Sequence, residues 1–133
     1  MSARNDGDEL FFNVSHSGPL ALLAFTRAGD VGIDVELPRP RTTELSALAG
    51  RVLGPAEGRR IQELPEEIRE REVLRGWVRH EALLKHAGGP PGQSWLGELD
   101  PGGEATAAVA LDRAPTELRC WEWSHGGARP HDC

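Results

Sequence analysis

Apolar and polar residues alternate with a period of two in the first third of the chain and change to a helical period after it. Residues 10–14, 20–27 and 31–37 read as short strands. Between the first two, Ser15-His16-Ser17-Gly18-Pro19 supplies turn residues, and Ala28-Gly29-Asp30 marks a tight turn before the third. The three strands predict an antiparallel meander. Pro38 and Pro40 end it, because proline brings no ladder N–H.

Beyond residue 41 the spacing is helical. Thr42 or Thr43 caps a helix that runs to about residue 53 and stops at Gly54. Pro55 opens a second helix, to about residue 64. Pro65 opens the longest, with Glu66 and Glu67 in its first turn and Gly88 at its end. Ile68, Val73, Leu74, Trp77, Val78 and Leu84 recur near helical spacing and are expected to face the core. Gly76 inside this helix marks a kink or a close contact. Residues 105–111 and 117–124 read as a closing hairpin. The sum is an α+β domain over residues 10–124, an antiparallel sheet packed on a long helix. Residues 1–9 are expected to be disordered and 125–133 a flexible tail.

Composition narrows the function. The chain has 133 residues and a net charge of −6, enough for one modest core and a poor match to a nucleic-acid binder. Arg59, Arg60, Arg69, Arg71, Arg75, Arg79 and Lys85 crowd the middle, which leaves room for a local anion site. Two cysteines, Cys120 and Cys133, suit a reducing compartment better than a disulfide scaffold. The first ten residues are polar, and no apolar run approaches the ~20 residues of a membrane helix. These features predict a cytoplasmic protein with no membrane or nucleic-acid partner.

Three stretches carry candidate chemistry. In FFNVSHSG, the Ser15-His16-Ser17 run is either a strand cap or an imidazole offered to an anion. In VGIDVE, Asp34 and Glu36 lie two apart on a strand, so both carboxylates share a face. They are either solvated charges on an open strand or part of a Mg²⁺ site. In WVRHEALLK, Trp77, Glu81 and Lys85 follow at steps of four along one helix face. Glu81 and Lys85 are either a surface ion pair or a third metal carboxylate with a phosphate-binding lysine.

In order and spacing these motifs resemble the Sfp-type 4′-phosphopantetheinyl transferases. Asp34 follows His16 by 18 residues and Glu81 follows Asp34 by 47. The resemblance implies the fold of that superfamily, with this chain keeping one half and part of the other. It implies transfer of the phosphopantetheine arm of coenzyme A to a serine of an acyl or peptidyl carrier protein. It assigns Mg²⁺ to Asp34, Glu36 and Glu81, and the nucleotide part of coenzyme A to Ser15 and His16, with His16 on a phosphate. Lys85 is assigned to the pyrophosphate, and Glu81 to the proton of the incoming serine. The family run R-K-E-A is Arg79-His80-Glu81-Ala82 here. Sfp-type enzymes are pseudo-dimers of two related halves with coenzyme A between them, and their single-half relatives form trimers. The resemblance therefore predicts a homodimer or other homo-oligomer. The alternative is an inactive or repurposed relative that acts as a binding or partner protein.

Overall fold

A computed structural model describes residues 2–5, 8–38, 47, 50–86 and 93–133, and among these described residues are eight strands and two full helices. The strands are β1 (Ser2–Asn5), β2 (Asp8–Ser17), β3 (Leu20–Thr26), β4 (Val31–Glu36), β5 (Trp95–Leu99), β6 (Thr106–Leu111), β7 (Cys120–Ser124) and β8 (Gly127–His131). The helices are α1 (Pro55–Gln62) and α2 (Glu66–Lys85), and residues 50–53 are also helical. All pairing is antiparallel, in three small sheets: β1-β2-β3, β4-β6-β5 and β7-β8.

The α+β architecture agrees with the sequence reading, but the meander does not form. β2 runs through to Ser17, so the turn falls on Gly18 and Pro19 and the Ser-His-Ser run is strand. β4 leaves β3 and pairs instead with β6, Ile33 opposite Val109 and Asp34 opposite Ala108. The expected N-terminal disorder gives way to β1, which pairs Ser2 with Phe11. The capping threonines and Gly88 lie outside the described residues.

The core explains this choice. Val31, Ile33 and Val35 of β4 and Ala107 to Ala110 of β6 are buried, and Val78 and Ala82 of α2 pack on Ala108 and Ala110, with Leu96 beside them. Alanines on β6 let the helix lie close. Leu74, Val78 and Ala82 form the buried stripe at steps of four. Leu84 lies about 200° around the helix from Ala82, which turns it into solvent, and Ile68 is exposed in the first turn; both were expected inside. Gly76 is a close contact, since a Cβ there would meet Leu53 Cδ1 at 2.6 Å. Leu53 packs with Ile61 and Val73 in a second small cluster.

The C-terminal region differs most from expectation. The strand expected over 105–111 forms as β6, but its partners are β4 and β5 and not residues 117–124. The expected flexible tail is half of a hairpin, with Cys120 opposite His131. That register brings the chain end back across β7, and Cys120 and Cys133 form a disulfide with Cα atoms 5.5 Å apart. The pairing corrects the reading of the cysteines as free thiols, on which the cytoplasmic placement partly rested. His131 Nε2 meets Asp100 O at 2.9 Å, and Asp100 N–H donates to Cys133 O at 2.9 Å. Trp121 and Trp123 on β7 are exposed and fill no core.

Candidate functional site

The site is built where the last turn of α2 crosses β4. Gly32 allows the crossing: a Cβ there would meet Ala82 O at 2.1 Å and His86 N at 2.7 Å, both backbone atoms. Gly32, Asp34 and Glu36 alternate onto the side of the helix. Lys85 closes the contact. Its Nζ donates to Ile33 O at 2.9 Å and to Asp34 Oδ1 at 3.2 Å. Glu81 stands one turn earlier on the same helix face, partly buried.

Asp34 is buried, 6% exposed, which excludes the reading as a solvated surface charge. Its Oδ1 also accepts from Ser15 Oγ at 3.2 Å, while its Oδ2 is buried with no hydrogen-bond partner. Burial pushes the Asp34 carboxyl above its ordinary pKa. Hydrogen bonding and charge from Lys85 pull it down, the Glu36 charge raises it again, and the Ser15 hydrogen bond lowers it. A buried carboxylate oxygen without a donor is expensive in this state, and a bound cation would relieve that cost. Two hard carboxylates on one strand face fit Mg²⁺, which is commonly held by one or two carboxylates plus phosphate oxygens. Among the described residues no group of three or more His, Cys, Asp or Glu side chains converges into a metal site, so Asp34, Glu36 and Glu81 do not form a closed trio.

Ser15 and His16, paired in the sequence reading, are separated by the strand. Ser15 turns inward to Asp34 and β4, and His16 is exposed on the opposite face. The arginine-rich middle is largely neutralised from within. Arg75 is held by Glu98 at 2.9 Å and Glu72 at 2.6 Å, and these carboxylates raise its pKa. Arg60 is held by Glu57 and Glu72, and Arg69 donates to Gln62 O and Leu64 O.

One buried group escaped the sequence reading. His86 has its Nε2 at 2.7 Å from Asp112 Oδ1 and its Nδ1 at 3.0 Å from Ser94 Oγ. The imidazole ties the end of α2 to the loop after β6 and to the approach of β5, and so fixes the helix turn that carries Lys85. The partners lie 26 and 8 residues away, with no local pattern to announce them.

Comparison with known proteins identifies the family. Residues 30–127 match the model of the 4′-phosphopantetheinyl transferase superfamily. The 4′-phosphopantetheinyl transferase HetI of Nostoc sp. is 38% identical over 106 residues, covering 80% of this chain and 44% of that protein. The 4′-phosphopantetheinyl transferase AcpT of Salmonella typhi is 37% identical over 83 residues, 62% of this chain and 43% of that protein. AcpT of Escherichia coli is 35% identical over 80 residues, 60% and 40%. The chain belongs to the 4′-phosphopantetheinyl transferase superfamily, and it spans less than half the length of these relatives.

Proposed function

We propose that this chain transfers the 4′-phosphopantetheine arm of coenzyme A to a serine of an acyl or peptidyl carrier protein, with Mg²⁺, as a homo-oligomer. The observation that carries the reading is the buried, unpartnered Asp34 Oδ2 on the strand face it shares with Glu36. In the reaction the serine oxygen attacks the β-phosphate of coenzyme A and the bond to the leaving 3′,5′-ADP breaks. Asp34 and Glu36 would hold the cation, with Glu81 as a further carboxylate. Mg²⁺ bound there would offset charge on the pyrophosphate and the leaving oxygen. Glu81 takes the serine proton, directly or through water. Lys85 keeps Asp34 in place and supplies positive charge beside the phosphates. His16 contacts the nucleotide part from the other face of β2.

Support for the oligomer is the apolar face around His16. Val14, Leu23 and Phe25 are 45%, 58% and 59% exposed there, and a contiguous exposed patch of this kind commonly marks an interface. The function is tested by incubating the chain with coenzyme A, Mg²⁺ and several apo-carrier proteins. A carrier mass raised by one phosphopantetheine arm is expected. Folded chain that transfers to none of them refutes the activity, and binding of coenzyme A without transfer marks a non-catalytic relative. Light scattering after size exclusion tests the oligomer, for which a monomeric mass would be contrary.

A further inference from the structure

β4 is an edge strand of its sheet, and such an edge leaves a row of N–H groups without ladder partners. Side chains of β2 take them. Asn13 Oδ1 accepts from Ile33 N at 2.9 Å, Ser15 Oγ from Val35 N at 3.1 Å and Ser17 Oγ from Leu37 N at 3.0 Å. The separation is 20 residues each time, so β2 and β4 run parallel, and side-chain oxygens stand in for the carbonyls of a neighbouring strand.

The two serines differ from Asn13 in one respect: the same hydroxyl that accepts the N–H also carries a proton to give, whereas the donors of Asn13 sit on its Nδ2, apart from the accepting oxygen. Ser15 donates it to Asp34 Oδ1 at 3.2 Å and Ser17 to Glu36 Oε2 at 3.5 Å, both at a separation of 19. The residue in the same relation to Asn13 is Gly32, which has no side chain to orient. Hydroxyl residues therefore stand where the register offers a carboxylate, and an amide where it does not.

We propose that Ser15 and Ser17 are positioning residues for Asp34 and Glu36, gripping the backbone of β4 through their oxygens and its carboxylates through their protons. The proposal rests on the reading of those carboxylates as the cation ligands. Ser15 is 6% exposed with its hydroxyl engaged on both sides, so its role is toward Asp34 and not toward the nucleotide. With Ser15 and Lys85 both on Oδ1, carboxylate rotation is restrained and Oδ2 stays the oxygen without a partner. Outer partners that orient a metal-binding carboxylate commonly change metal affinity ten- to a hundredfold.

The test is a Mn²⁺ titration of the 133-residue chain with coenzyme A present, read from the signal of free Mn²⁺ by electron paramagnetic resonance. Ser15→Ala is expected to weaken Mn²⁺ binding about tenfold, to leave the KM for coenzyme A near wild type, and to lose amide-exchange protection at Val35. Ser15→Thr, which keeps the hydroxyl, is expected to restore Mn²⁺ binding. Ser17→Ala is expected to act in the same direction but less, with the loss of protection at Leu37. Wild-type Mn²⁺ affinity in Ser15→Ala, or a raised KM for coenzyme A alone, overturns the positioning role while leaving the cation site standing. No Mn²⁺ binding by the wild type overturns both. If circular dichroism shows that Ser15→Ala does not fold, Ser17→Ala decides, and unchanged affinity there is contrary.

Discussion

The odd and even positions of β2 are treated differently by the fold. Asn13, Ser15 and Ser17 are polar, yet each is tied to a backbone amide of β4. Val14 and His16 face the other way and stay open, with Val14 opposite Leu23, Phe12 opposite Phe25 and His16 opposite Ala21 across the ladder to β3. The polar side is finished by residues of this chain, and the apolar side is not. The usual assignment of polar residues to solvent and apolar ones to the core is inverted along one strand. Such inversion is expected at a functional site: the inner face holds carboxylates in place, and the outer face is the one the proposed homo-oligomer would cover.

The inner face can be broken most severely at Gly32. Gly32→Ala drives a methyl into the backbone of α2, an overpacking expected to cost about 3 kcal/mol or more. Denaturant unfolding should show a midpoint well below wild type, with Lys85 lifted off Asp34. A milder break is Ser15→Ala, which leaves the buried Val35 N–H without an acceptor and should cost about 1–3 kcal/mol. On the outer face the same experiment should read near zero. Leu23→Ser removes an exposed side chain and should change unfolding of the monomer by no more than about 0.5 kcal/mol, while lowering the mass seen by light scattering. Equal costs for Ser15→Ala and Leu23→Ser would erase the distinction between the faces.

The smallest effect expected is a change in pH dependence. Burial raises the Asp34 pKa above its ordinary value of 3.8. Between the two values the folded chain keeps a proton that the unfolded chain has lost. The contribution of Asp34 to stability therefore falls as pH rises through that window and is constant above it. Asp34→Asn lacks this fall, so its stability relative to wild type should rise with pH across the window and then level off. The difference between the two proteins cancels the opposite contributions of Glu57 and Glu72, whose pKa values are lowered. Chemical unfolding of both proteins over a pH series checks the sign.

Much of this was legible in the sequence. The long helix announces itself by Pro65, its acidic first turn and the Val73–Val78 spacing, and the observed α2 runs from Glu66 to Lys85. The carboxylates stood out as a strand pair. What failed was the inference from residue type to local role. Serine, glycine and proline after Val14 suggested a turn, although the polar alternation of Asn13, Ser15 and Ser17 is itself a strand pattern with one polar face. Its partner is 20 residues away, and a local reading of turn chemistry has no access to that distance. The cysteines failed for a similar reason: compartment was argued from their number, whereas the hairpin register of β7 and β8 sets their distance. The Ser94–His86–Asp112 strut joins three segments that meet only once α2 lies on β4 and β6.

Calorimetric titration of coenzyme A into the chain, with and without Mg²⁺ and with Asp34→Asn beside wild type, tests the central claim most directly. A site built on Asp34 and Glu36 predicts binding that Mg²⁺ strengthens in the wild type and fails to strengthen in Asp34→Asn. Binding of equal strength with and without Mg²⁺ in the wild type would contradict it.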